Sequence, residues 1–236
     1  MEDNKKSALR LRNPPFWDHQ RHVRVALRSA IIELFAKRLE HGADKKLADL
    51  GCGSAPYRQH LSALGYRYYA CDIAPGSEIE IKPGEAIPLE SESMDVVVSF
   101  QVLEHVWHLK WYLGEAHRIL KKSGFLVLST HGTWPYHPHP TDYRRWTKDG
   151  LLREVEQYGF IAEECTAIVG PLAWTTQIRL LGYWHVLSRL YVIGPIVLFF
   201  LCLFMNLRMM IEDFITPKNI KDKNACVYLV LFNVVK

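Results

Sequence analysis

The stretch Leu47-Ala48-Asp49-Leu50-Gly51-Cys52-Gly53-Ser54-Ala55-Pro56 decides the fold. A short apolar run ends in an acid, turns through two glycines and leads into a helical segment. Glycine lets the backbone turn tightly, and it lets a ligand approach where a Cβ would otherwise stand. The next strand-like run, Arg67–Asp72, ends in a second acid, Asp72, 19 residues after Gly53. That is the expected place for a carboxylate that takes two ribose hydroxyls. The dinucleotide fingerprint needs a third glycine three residues after Gly53, and Pro56 stands there, which disfavours a pyrophosphate site.

Working outward, apolar runs alternate with helical stretches. Lys46–Leu50, Arg67–Asp72, Met94–Phe100 (MDVVVSF), Gly124–Thr130 (GFLVLST), Phe160–Val169 and Ala225–Val235 read as strands. His19–Glu40, Pro56–Leu64, Leu109–Lys122 and Thr147–Tyr158 read as helices; the first carries Val23, Leu27, Ile31, Leu34, Phe35 and Leu39 at helical spacing. Continuous apolar strands between helices imply a mostly parallel sheet covered on both faces, an α/β fold. The expected organisation is one domain: a helical extension over 1–45, a core over 46–169 and 224–236, and an apolar helical insertion over 170–217. Within the insertion, Leu190–Leu207 runs 18 residues without a charge.

Composition narrows the class. Basic residues exceed acidic ones by only four (29 against 25), with no concentrated basic stripe, so nucleic acid is not an expected partner. The five cysteines form no CxxC pair, which argues against a zinc or disulfide framework and fits a reducing cytoplasm. The opening MEDNKKSALRLRNPPF has no apolar core of a secretory signal.

The ordered motifs resemble class I S-adenosylmethionine-dependent methyltransferases, especially the large group of small-molecule and polysaccharide-locus methyltransferases. LADLGCGSAP resembles the family's first motif, YYACDIAP its second-strand acid motif, and GEAIPLESESMDVVVSFQVLEHV the run from adenine loop to fourth strand. HRILKKSGFLVLSTHG and PTDYRRWTKDGLLREVEQYGF continue the match in order, over roughly 47–168 plus a seventh strand at 225–235. The resemblance implies a Rossmann-like, seven-stranded sheet with an antiparallel last strand, and S-adenosyl-L-methionine as cofactor. It places Asp49 near the methionine amino group, Gly51, Cys52 and Gly53 against the cofactor, Asp72 on the ribose and Ile73 on the adenine. Ser99, Phe100 and Gln101 fall beside the methionine part. Two departures stand out: Pro83 occupies the place where relatives carry an acid for the adenine amino group, and Lys122-Ser123-Gly124 replaces a Lys-Pro-Gly-Gly turn.

Methyl transfer to a hydroxyl needs alignment and a proton acceptor. Glu104-His105 follows the fourth strand, so His105 is one candidate. The loop His131–Trp146 (HGTWPYHPHPTDYRRW) is long and rich in His, Pro and aromatics, as functional loops are. It offers His137, His139 and Asp142 for proton transfer, with Tyr143 and Arg144 to bind a polar acceptor. A metal held by His131, His137, His139 and Asp142 is not expected, because the spacing is no recognised zinc pattern. The insertion is long enough for a marginal membrane span, but Gly194-Pro195 would kink it, and a single span would strand the last strand across the bilayer. A re-entrant or interfacial hairpin is therefore expected, with Trp174, Tyr183 and Trp184 at headgroup level. A buried helix pair or dimer interface is the alternative. The functional expectation is O-methylation of a glycan or lipid-linked saccharide, peripheral on the cytoplasmic face of a membrane. The alternatives are methylation of an isoprenoid quinone or other lipid, and a non-catalytic cofactor-binding scaffold.

Overall fold

The computed structural model describes residues 13–38 and 44–236. In order the elements are α1 (Arg21–Arg38), β1 (Lys46–Leu50), α2 (Arg58–Ala63), β2 (Arg67–Asp72), β3 (Ile79–Glu80), β4 (Met94–Phe100) and a 3₁₀ turn (Leu103–His105). Then come α3 (Leu109–Ile119), β5 (Leu120–His131), α4 (Lys148–Glu156), β6 (Phe160–Ile168), α5 (Pro171–Leu187), α6 (Ile193–Ile215), a one-turn helix (Lys218–Lys221) and β7 (Val227–Val234). The basic N-terminus and the end of the expected first helix, Leu39–Glu40, lie outside the described residues.

One seven-stranded sheet runs in the order β3-β2-β1-β4-β5-β7-β6. All pairings are parallel except those of β7, which runs antiparallel to β5 and β6. This is the Rossmann-like methyltransferase arrangement that the motif order implies. Alternation along the strands sends side chains to two cores. Val96, Val98, Val127 and Leu229 meet Leu27 and Ile31 of α1, Leu180 of α5 and Met205 of α6. Val97, Leu126, Leu128 and Phe232 meet Leu113 of α3 and Leu151 of α4 on the other face.

Several features differ from expectation. Helix α3 ends at Ile119, not Lys122, because Leu120 is already extended and pairs with Met94. Phe125 then pairs with Val96, so the Lys122-Ser123-Gly124 turn is a bulge inside β5. A Cβ on Gly124 would lie 3.0 Å from the Lys121 carbonyl and 3.1 Å from that of Asp95. Strand β3, only two residues long, has no periodicity to read. Gly194-Pro195 does not kink a helix; it sits in the first turn of α6, where proline's missing N–H has no partner to lose.

The insertion is a helical hairpin between β6 and β7. Ile168 and His131 both pair across Val227, so the hairpin leaves and rejoins the edge at which the parallel strands end. One stripe of α6 (Leu198, Cys202, Met205, Met209) is buried. Asn206 Nδ2 donates to the carbonyls of Phe16 (2.9 Å) and Asp18 (3.0 Å), and Gln177 Nε2 donates to that of His19 (2.7 Å). The hairpin is thus pinned to the body along one side, with the other exposed. Trp184 stacks on His19 at 3.9 Å and Trp174 packs against the core, so of the three expected interfacial aromatics only Tyr183 is exposed.

Candidate functional site

The site is built where β1, β2, β4 and β5 end, the edge at which open α/β sheets bind ligands. Gly51 (φ +77°) and Gly53 (φ +52°) turn the chain, and the Gly51 and Cys52 N–H groups donate to the Cys71 carbonyl at 2.8 and 3.1 Å. The carboxylate of Asp72 accepts from Gly53 N–H (2.7 Å) and from Ala74 N–H (3.0 Å), which fixes its orientation at the end of β2. Asp49 lies beneath the loop, 2% exposed, and accepts from the Tyr68 hydroxyl. Burial, reinforced by the nearby Asp72 charge, pushes its carboxyl up to about 7, partly offset by the Tyr68 hydrogen bond.

A cavity of 560 Å³ opens above this loop, within the size range of small-molecule sites. Gly51, Gly53, Asp72, Ile73, Ile81 and Pro83 form one part of its wall. Gln101, His105, Trp107, Trp111 and Tyr112 form another, and His139, Pro140, Thr141 and Tyr143 close it from the loop after β5. The glycine turn and the aromatic-histidine loop, 86 residues apart between Gly53 and His139, therefore face the same space.

Other expected positions sit differently. Of Ser99, Phe100 and Gln101, only Gln101 lines the cavity. Successive strand residues point to opposite faces: Ser99 Oγ is buried 2.7 Å from Tyr112 Oη, and Phe100 makes an edge contact with Tyr57 in the opposite core. Gln101 has φ +58°, uncommon for a residue with a side chain, with its N–H on the Ser129 carbonyl (2.9 Å) and its amide on Ser129 Oγ (3.1 Å). Cys52 is buried in the α1-side core, and burial pushes its thiol up to about 12.

His105, on the 3₁₀ turn, hydrogen-bonds through Nδ1 to the Thr141 carbonyl. A carbonyl only accepts, so Nδ1 carries the proton and Nε2 is the free base. His139 lines the cavity as well, whereas His137 lies behind it, its ring 5.0 Å from that of His105. Asp142 and Arg144 do not line the cavity. Asp142 is gripped by Arg145 at 2.5 and 2.6 Å and by His137 N–H at 2.9 Å; despite its burial this holds its carboxyl well below the usual carboxylate range. An acid so stabilised as the anion is a poor proton acceptor. Arg144 donates to the carbonyls of Val106 and Trp107 (3.1 Å to the latter), bracing the 3₁₀ turn.

Three features escape the sequence reading. Arg145 also donates to the carbonyls of Trp134 (3.0 Å) and Pro135 (2.9 Å), which makes it the organiser of the loop. Tyr112, Trp107 and Trp111 wall the cavity. Glu104, fully buried at the middle of the 3₁₀ turn, accepts from Thr130 Oγ1 at 2.9 Å and lies 3.3 Å from His131 Nε2. Burial pushes its carboxyl up to about 7, and burial pushes the His131 imidazole well below its ordinary value.

A glycine turn with a strand-end acid, opening on a cavity at the switch edge of a sheet with an antiparallel seventh strand, defines a class I methyltransferase fold. Comparison with known proteins makes this specific. A family model described as "Methyltransferase domain" matches residues 48–128. A probable S-adenosylmethionine-dependent methyltransferase of Mycolicibacterium smegmatis is 28% identical over 160 residues, 58% of this chain and 60% of that protein. A ubiquinone biosynthesis O-methyltransferase of Ruegeria pomeroyi is 30% identical over 103 residues, 37% of this chain and 42% of the relative. The chain thus spans three fifths or less of these relatives' lengths. Among solved structures, Burkholderia thailandensis 1,6-didemethyltoxoflavin-N1-methyltransferase superposes with a TM-score of 0.54 at 14% identity, covering 90% of this chain and 79% of that one. A Mesorhizobium loti S-adenosylmethionine-dependent methyltransferase superposes with a TM-score of 0.54 at 15% identity, covering 88% and 97%. Over residues 48–128 the chain is thus similar to the methyltransferase-domain family, set within a class I methyltransferase fold.

Proposed function

We propose that the chain is a membrane-peripheral O-methyltransferase whose acceptor is the hydroxyl of a lipid-linked saccharide, met at the cytoplasmic face. The single observation that carries this reading is that the cofactor loop and His105 share a cavity rooted at the same sheet edge as the apolar hairpin. Gly132 and Thr133, which begin the acceptor-side loop, donate to the Cys226 carbonyl where the hairpin rejoins the sheet (2.9 and 3.2 Å).

The residues present fit the cofactor. Gly51 and Gly53 leave backbone open to the cavity, Asp72 ends beside it and Ile73, Ile81 and Pro83 offer an apolar wall for an adenine. Bound there, S-adenosylmethionine supplies an electrophilic methyl group on a sulfonium. The chain's own residues do the rest. Asp49 does not line the cavity; buried beneath the loop, it supplies the acidic side toward which an ammonium at the glycine turn would lie. His105 Nε2 takes the acceptor hydroxyl's proton, and the Thr141 carbonyl holds the imidazole in the required tautomer. Trp107 and Tyr143, 5.1 Å apart, give aromatic faces for a sugar or quinone ring.

The hairpin supports the membrane side. Helix α6, 23 residues and about 35 Å long, is long and apolar enough to cross a bilayer by length and composition. Its inner stripe is pinned by Asn206 and the core, which favours lying in the interface over leaving the body to span. Phe200 (64% exposed), Phe204 (63%) and Phe214 (89%) face outward. A second reading, an isoprenoid quinone as acceptor, is favoured by the likeness to the Ruegeria ubiquinone O-methyltransferase.

Incubating envelope extract with the protein and isotopically labelled cofactor, then analysing products by mass spectrometry, tests the reading. Label on a saccharide-bearing lipid supports it; label on a quinone selects the second reading. No labelled product, with the cofactor bound, leaves the scaffold role instead. His105→Asn keeps a donor for the Thr141 carbonyl but has no base; transfer should fall by about 10²–10⁴ with cofactor affinity unchanged.

A further inference from the structure

Behind the wall formed by His105 and His139, three side chains from three elements converge: Glu104 from the 3₁₀ turn, His131 from the end of β5 and His137 from the loop. One donor atom of each lies within 4.8 Å of the others. Glu104 is fully buried, and among the described residues its Oε1 has no hydrogen-bond partner; neither has His131 Nδ1. A buried, unpartnered carboxylate oxygen is costly, and something must compensate it.

We propose that Glu104, His131 and His137 form a binding site for a divalent transition-metal ion of the zinc class. Two imidazoles and one carboxylate suit zinc, cobalt or iron far better than magnesium or calcium, which want oxygen ligands. Tetrahedral zinc with bonds near 2.1 Å sets its ligand atoms about 3.4 Å apart. The Glu104 Oε1 to His131 Nε2 separation is 3.3 Å, so that edge of the polyhedron is already formed. His137 comes from a loop and closes the remainder by a small movement. Its Nδ1 lies 3.2 Å from Asp142 Oδ2 and 3.2 Å from Arg145 Nη2. Arg145 only donates, so Nδ1 accepts from it here; an ion bound at Nε2 would shift the ring proton to Nδ1 and turn that contact to Asp142 Oδ2, the carboxylate-histidine-metal relay common around such ions. Asp142 and Arg145 neutralise each other, leaving the Glu104 charge for the cation. The fourth position is open to water. The ion would tie the ends of β4 and β5 to the loop and so hold His105 and His139, whose rings lie 5.0 and 6.4 Å from that of His137, in the cavity wall.

The test uses the full chain, chelator-treated and kept reduced, titrated calorimetrically with zinc sulfate and separately with cobalt chloride. No cofactor or acceptor is present, so the result is independent of the proposed reaction. One equivalent of zinc should bind with submicromolar affinity and raise the melting temperature. The cobalt complex should show tetrahedral d–d absorption without a thiolate charge-transfer band, separating this site from the five cysteines. Glu104→Gln and His137→Asn should each weaken binding by at least about 100-fold, beyond the loss typical of an outer-sphere change. Should Glu104→Gln fail to fold, His137→Asn, on a half-buried loop position, gives the decision alone. No saturable binding would overturn the proposal and leave a protonated Glu104 shared with His131. Unchanged affinity in His137→Asn would overturn it equally.

Discussion

Gly51→Ala is the substitution whose cost the geometry sets most directly. Gly51 has φ +77°, and a Cβ built on it would lie 2.6 and 2.8 Å from the two γ-carbons of Val102. A left-handed residue with a Cβ costs about 1–2 kcal/mol. Valine is stiff at χ1 and cannot swing both methyls away, so overpacking adds about 1–3 kcal/mol. The sum is about 2–5 kcal/mol, or roughly 5–15 °C in melting temperature for a chain of this size. Gly53 is the internal control: its φ is +52°, but among the described residues a Cβ there meets nothing within 4 Å. Gly53→Ala should therefore cost only the conformational share, about 1–2 kcal/mol. Urea denaturation of the cofactor-free protein measures both, and Val102→Ala in the Gly51→Ala background completes a double-mutant cycle. The expected coupling exceeds about 1 kcal/mol in the rescuing direction. Equal costs at Gly51 and Gly53, with zero coupling to Val102, would refute the close approach on which the loop's geometry rests.

Asp49 gives a pH dependence of defined sign. Its folded carboxyl titrates near 7, above the ordinary value of 3.8, so between these values the folded state holds the extra proton and stability falls as pH rises. The full loss by pH 8 is about 4 kcal/mol, and Asp49→Asn should flatten that share of the stability–pH profile from pH 4 to 8. Arg145→Lys removes a bidentate grip and carbonyl contacts; it should cost about 1–3 kcal/mol and speed hydrogen exchange across 132–146, whereas Arg144→Lys should disturb chiefly the 3₁₀ turn. Phe200→Glu with Phe204→Glu should abolish flotation with anionic vesicles while leaving the unfolding free energy within about 1 kcal/mol of wild type, since both rings are exposed. Retained flotation would remove the membrane role.

The core strands were legible because strands buried on both faces read as apolar runs, and the 19-residue gap from Gly53 to Asp72 is local to one β-α-β unit. The hairpin was legible from its uncharged run and from the need to return to the same sheet edge. Side-chain direction was less so. Period-two alternation separates Ser99 from Phe100 and turns Phe100 toward the α1-side core, away from the cofactor side. Nothing local distinguishes Arg144 from Arg145, because the loop backbone alone decides which one turns inward onto Asp142. Glu104 and His131 lie 27 residues apart on the ends of neighbouring parallel strands, so only the β4–β5 pairing reveals them as partners. Trp184 reads as an interfacial aromatic until α5 is seen to place it on His19.

Calorimetric titration of the purified chain with S-adenosylmethionine, beside Asp72→Asn, tests the central claim. One site per chain is expected, with affinity reduced at least tenfold in Asp72→Asn, the loss of about 1.4 kcal/mol or more of charge-assisted hydrogen bonding. Absence of binding, or equal affinity in the variant, would contradict the assignment of the Gly51–Gly53 turn and Asp72 as the cofactor site.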